Sequence, residues 1–179
     1  MVGYCDPPFR SICRQMGSAM SYVPCVLDEA VIYGSPRRVR ATQFWEAERP
    51  VAIQVLSKDP ERLVRACHRL MALDPDLFDV NLGCPARRVV SGGRGAALLR
   101  DPAAIARLVA PLVRAVSVPV TAKIRLGWDG SSRNHVEVAR VLEDSGVAAI
   151  AVHARTRSDG YGGRADWSAI AEVREAVGV

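Results

Sequence analysis

Within this chain, the segment Asp79-Val80-Asn81-Leu82-Gly83-Cys84-Pro85 carries the residues best suited to chemistry. Apolar residues lead into it, so it reads as the end of a buried strand followed by a Gly-Cys-Pro turn. Gly83 lets the backbone turn sharply and Pro85 fixes its exit. The Cys84 thiol is thereby placed at the mouth of a sheet, beside Asn81, whose amide can hydrogen-bond a base or another amide. Thiols in water titrate at about 8.5, so at neutral pH they are mostly protonated and can donate a proton. A thiolate nucleophile is the rival chemistry and would want a partner base and a depressed pKa. The third reading is a buried structural cysteine, the commonest role of any free Cys. The strand-end position favours function.

Other candidates sit at the ends of similar apolar runs. Lys123 and Arg125 are two residues apart on an extended stretch, so both point to one face. A buried Lys is costly unless it meets an anion or a polar ligand. A neighbouring carboxylate is one such partner; a flavin, whose ring oxygens gain electron density on reduction, is another. His153 is followed by Arg155 and Arg157, and guanidinium groups suit phosphate. Gln54 lies near the end of Val51–Leu56. The glycine-rich stretch Ser91-Gly92-Gly93-Arg94-Gly95 lacks the Walker lysine and follows no strand directly, so it is weak as a phosphate cradle. It reads as a mobile loop over the site, leading into a short helix. Arg37-Arg38-Val39-Arg40 and Arg87-Arg88 read first as solvated faces.

The elements that must position these residues alternate short apolar runs with longer amphipathic ones, the pattern of repeated βα units. Strands are expected at Ala19–Val26 (the weakest), Val51–Leu56, Phe78–Leu82, Pro119–Leu126 and Ala148–Arg155. Helices are expected near Pro8–Met16, Leu27–Tyr33, Glu61–Leu73, Pro102–Val116 and Asn134–Ser145, with Asp166-Trp167 opening another. Ser57-Lys58-Asp59-Pro60 is a helix-start signal. Near-continuous apolar strands point to a parallel sheet buried on both faces. Gln54, Asn81, Lys123 and His153 all fall at C-terminal strand ends, where both barrels and open α/β sheets build their sites. Four successive strands contributing to one site favour the closed ring, a (β/α)8 TIM barrel.

With 179 residues, 49% hydrophobic and 24% charged, the chain is long enough for one domain with a real core. No apolar run reaches the roughly 18 residues that span a bilayer. The opening residues show no basic region followed by an apolar one, so a cytoplasmic location is expected. The net charge of +5 is compatible with a polyanionic partner but does not demand one. The five cysteines are odd in number and lack CxxC spacing, which argues against a disulfide framework and against a metal site.

In order along the chain, five segments resemble the flavin-dependent tRNA-dihydrouridine synthases. They are Met1–Arg10; Pro50–Gln54; Asn81–Pro85 with Gly93–Leu99; Thr121-Ala122-Lys123-Ile124-Arg125-Leu126-Gly127-Trp128; and His153-Ala154-Arg155-Thr156-Arg157 with Tyr161-Gly162-Gly163 and Asp166-Trp167. The resemblance implies a flavin mononucleotide (FMN) barrel that reduces selected tRNA uridines to 5,6-dihydrouridine, with NADPH re-reducing the flavin. It implies that Gln54, Lys123 and His153 contact the flavin, that Asn81 faces the target uracil, and that Cys84 protonates the base. A base turned out of folded RNA needs a basic rim for phosphates, for which Arg155 and Arg157, with Arg87 and Arg88, are the candidates. The alternatives are an FMN barrel dehydrogenase acting on a free pyrimidine, or a non-catalytic RNA-binding fragment.

The chain departs from the family pattern at Cys5, usually Thr or Ser, and at Ala122, usually Val. It stops at Val179, where the family would begin its seventh strand. The expectation is therefore a fragment with about strands 2 to 6 of the barrel, without strands 7 and 8 and without the C-terminal helical domain that docks tRNA. Such an open barrel is expected to be poorly stable alone and to hold flavin weakly or not at all.

Overall fold

A computed structural model describes residues 5–34 and 42–179. The expectations for Met1–Tyr4 and for Arg37-Arg38-Val39-Arg40 lie outside the described residues.

Five strands form one parallel sheet: β1 (Ser21–Leu27), β2 (Val51–Leu56), β3 (Leu77–Asn81), β4 (Val120–Arg125) and β5 (Ala149–His153). They lie side by side in chain order. Between and around them run α1 (Pro7–Gln15), α2 (Asp28–Tyr33), α3 (Pro60–Leu70), α4 (Arg87–Val90), α5 (Pro102–Ala115), α6 (His135–Asp144) and α7 (Trp167–Ala176). The helices start where side chains satisfy their free N–H groups. Asp59 accepts from Arg62 N ahead of α3, and Asp101 accepts from Ala104 N ahead of α5, each with Pro in the first turn. The helix expected over Glu61–Leu73 ends earlier, at Leu70, and tightens into a 3₁₀ turn over Met71–Leu73.

Burial separates a barrel wall from a doubly wound sheet. Val51, Ile53 and Val55 of β2, Phe78 and Val80 of β3, and Val120, Ala122 and Ile124 of β4 all join one apolar core. The same core takes in Leu63, Ala66 and Leu70 of α3, Ile105, Leu108 and Leu112 of α5, and Val138 and Leu142 of α6. Alternate strand positions thus face a single helical layer. A doubly wound sheet would put helices on both faces and break the chain order of its strands. Consecutive order with all these helices on one side is a partial (β/α) barrel.

The opposite face of the sheet is not the apolar surface that continuous hydrophobic strands would make. Its positions include Gln54, Asp79, Asn81, Thr121, Lys123, Arg125 and His153, interleaved with the core residues. Register aligns Gln54 with Asp79 and Asp79 with Thr121, then Asn81 with Lys123, and Arg125 with His153. The future barrel interior is therefore a polar strip running across four strands. Among the described residues β1 and β5 are the edges, and β5 is the least covered, with Ala149 exposed. No helix among them is long and apolar enough to cross a membrane.

Candidate active site

The turn after β3 is built by Asn81. Its Oδ1 accepts from Gly83 N at 3.2 Å and Cys84 N at 2.9 Å, which closes the turn and presents the half-buried Cys84 side chain. Its Nδ2 donates to Gln54 Oε1 at 2.8 Å, with the Cys25 sulfur 3.7 Å away. Burial, with the Cys84 thiol beside it, pushes the Cys25 thiol up to about 12, so Cys25 stays protonated.

The glycine-rich stretch does not behave as the mobile loop expected from its composition. Arg94 pairs with Glu29 of α2 at 2.5 Å, Ala96 N donates to the Cys84 carbonyl at 3.1 Å, and Gly95, Ala96, Leu98 and Leu99 are buried. The stretch is a clamp behind Cys84. Gly95 has φ +61°, and a Cβ there would lie 2.8 Å from the Cys84 carbonyl oxygen and 3.1 Å from its Cβ. Gly95→Ala is therefore expected to cost about 1–3 kcal/mol by denaturant unfolding, through strain at an unfavourable φ and a backbone clash. Gly130→Ala, where nothing lies within 4 Å, serves as the control and should change stability by less than about 0.5 kcal/mol.

Arg125 is 2% exposed and makes no salt bridge with a described carboxylate. Its Nε donates to the Gly83 carbonyl at 2.9 Å, and its Nη1 to the carbonyls of Thr156 at 2.9 Å and Gly160 at 2.7 Å. The guanidinium also lies 5.3 Å from the Tyr161 ring centroid. It thus ties the Cys84 turn to the loop that follows β5.

Lys123 makes no hydrogen bond or ion pair with any described residue. Burial lowers its pKa; the Asp79 carboxylate opposes that shift and Arg125 adds to it. Asp79 is 1% exposed and accepts from Gln54 Nε2 and from Thr121 Oγ1, each at 2.6 Å. Burial raises its pKa against the pull of those two donors and of Lys123.

His153 stands among Arg125, Lys123 and Arg155. Burial first, then those three cations, hold its pKa below the usual imidazole value. Arg155 Nη1 lies 3.2 Å from His153 Nε2, a contact that needs the neutral ring with Nε2 as acceptor. A His whose folded pKa is depressed stabilises the fold fully above its unfolded value of about 6.5, and that stability is lost as pH falls from there through the folded value. An NMR titration of the His153 ring is expected to give a midpoint below 6.5, moving upward in Arg155→Gln; a midpoint at or above 6.5 would contradict the assignment.

The arginines expected at a rim divide. Arg155 is drawn into the mouth, its Nη2 donating to the Gly163 carbonyl at 2.8 Å, while its buried Nε has no partner. Arg157 lies 4.4 Å from the Trp128 ring centroid, with Arg100 at 5.0 Å from the same ring. Arg87 and Arg88 are exposed at the start of α4 and make no salt bridge with a described residue. The structure thus brings Gln54, Asn81, Cys84, Lys123, His153 and Arg155 to one end of the sheet. Asp79, Thr121 and Cys25 belong with them and were not singled out as site residues in the sequence. Asp79 and Thr121 share a face with Asn81 and Lys123 by twofold strand periodicity, which was the available signal. Among the described residues no group of three or more His, Cys, Asp or Glu could hold a metal ion.

A site of this kind, at the C-terminal ends of parallel barrel strands, is shared by many enzyme families. The decisive observation is that the family model described as dihydrouridine synthase (Dus) matches residues 1–179. The chain belongs to the dihydrouridine synthase family. Among curated relatives, it is 42% identical to tRNA-dihydrouridine synthase B of Pseudomonas aeruginosa over 180 residues, covering 100% of this chain and 54% of that protein. It is 36% identical to tRNA-dihydrouridine synthase B of Xanthomonas campestris pv. campestris over 177 residues, covering 99% of this chain and 53% of that protein. The chain spans about half the length of these dihydrouridine synthases.

Proposed function

We propose that this chain carries the proton donor and the ring-binding residues of an FMN-dependent tRNA-dihydrouridine synthase, with NADPH as the source of electrons. The observation that carries the reading is Lys123, a half-buried cation on the polar face of the sheet, beside the Cys84 turn, that makes no hydrogen bond or ion pair with any described residue. An ammonium without a hydrogen-bond acceptor in that position calls for an electron-rich ligand. The electropositive set of Lys123, Arg125 and Arg155, with the neutral His153 beside it and Asp79 balancing it, fits a flavin ring.

When bound, FMN supplies the hydride that adds to the 5,6 double bond of uracil. Gln54, Lys123 and His153 hold it, Lys123 favouring the extra negative charge of the reduced ring. Hydride addition to the pyrimidine builds negative charge at the neighbouring carbon, and the Cys84 thiol quenches it by donating its proton. The Asn81 hydrogen bonds fix where that thiol stands, and Asn81 itself borders the pyrimidine. Arg155 and Arg157, with Arg87 and Arg88, meet the phosphates of the tRNA around the extruded base.

The reading is tested with protein from the complete reading frame, purified and given NADPH and either bulk tRNA or free uracil. The expected result is a yellow protein that forms dihydrouridine in tRNA and leaves free uracil unchanged. Reduction of free uracil alone would make it a pyrimidine dehydrogenase, and a colourless protein that binds tRNA without reducing it would make it a binding module.

A further inference from the structure

Asp79 has no place in the reaction as proposed, yet it begins a chain of hydrogen bonds that ends at the backbone of Cys84. Its carboxylate is buried, with two donors directed into it. A carboxylate only accepts, so Gln54 must turn its Nε2 toward Asp79. That leaves Gln54 Oε1 facing Asn81, so Asn81 must offer Nδ2 to it. Asn81 Oδ1 is then the end that remains for Gly83 N and Cys84 N.

Each carboxamide has two chemically different ends that occupy nearly the same space. The direction of each link is therefore set by the one before it. Were Gln54 reversed, Asn81 would follow, and its NH2 would confront the two N–H groups of the turn, donor against donor. The register aligning Gln54, Asp79 and Thr121 in one row keeps the first link short.

We infer that Asp79 is a positioning residue: it orients the Gln54 and Asn81 carboxamides and through them fixes the turn that presents Cys84. The inference rests on the reading of Cys84 as the acid, but its test does not depend on turnover. Protein from the complete reading frame is treated with iodoacetamide, and alkylation of the Cys84 peptide is followed by mass spectrometry, which separates it from Cys5, Cys13, Cys25, Cys67 and any further cysteine.

Asp79→Leu and Asn81→Ala are each expected to raise the Cys84 alkylation rate about fivefold or more by loosening the turn, and the double variant no further, since both break one chain. Asp79→Asn keeps an acceptor for Gln54 and restores the slow rate. Thr121→Val removes the other bond to the same carboxylate and leaves the rate within about twofold of the parent. Gln54→Met breaks the chain one link later and carries the same expectation should Asp79→Leu fail to fold. An unchanged Cys84 rate in folded Asp79→Leu or in Gln54→Met, or additive effects in the double variant, would overturn the inference. Whether Cys84 is the acid is read separately, from turnover of Cys84→Ala.

Discussion

Replacing Cys84 with alanine is expected to slow tRNA uridine reduction by about 10²- to 10⁴-fold, the range that a positioned general acid contributes, and to leave flavin in place. The turn around Cys84 is held by backbone atoms: Asn81 Oδ1 accepts from two N–H groups, and the Cys84 carbonyl accepts from Ala96 N. None of these bonds uses the sulfur. The substitution therefore deletes the proton and little else. Flavin absorbance of the purified variant and dihydrouridine formed per enzyme check the two halves of the expectation. Normal turnover by the variant would exclude Cys84 as the acid, and loss of flavin would assign it to binding.

The second large effect is expected at Lys123. In Lys123→Met the stem keeps its length and the charge is lost. Hydrogen bonds to charged groups are worth roughly 1.5–3 kcal/mol, so flavin affinity should fall about 10- to 150-fold. Asp79 keeps Gln54 and Thr121 as donors, so the flavin-free fold should survive. Loss of the nearby cation pushes the Asp79 pKa further up, because Lys123 is one of the groups that hold it down. Flavin titration by fluorescence, with thermal unfolding of the flavin-free protein alongside, reads both outcomes. Equal flavin affinity in the variant would remove Lys123 from the binding set.

Much of this site is legible along the chain because its parts stand at the ends of apolar runs. Gln54, Asn81, Lys123 and His153 each break a hydrophobic stretch in its C-terminal half, and the fold brings them to one end of the sheet. What a linear reading misses is lateral. Asp79 and Gln54 are 25 residues apart, and nothing local to either one says that register will set them in one row. Thr121 on the far side of Asp79 is hidden for the same reason. The strands look apolar on both faces because outward Val and Ile residues outnumber the polar ones between them. Only the alternation, counted residue by residue, shows a face of different chemistry. The Ser91–Gly95 stretch illustrates the opposite error. Glycine there serves close packing against Cys84 rather than motion, and the Arg94–Glu29 pair that anchors it spans 65 residues.

Arg125 gives the site a property that its titrating neighbours lack. Its donors end on the carbonyls of Gly83, Thr156 and Gly160, and peptide carbonyls do not ionise between acid and alkaline conditions. A guanidinium held by carboxylates would lose acceptors in acid; these three bonds end on groups that do not change charge. The thiol and the histidine loop are thus joined through acceptors that stay uncharged across the pH range. In a pH–rate profile of the complete enzyme these three bonds will consequently add no step of their own.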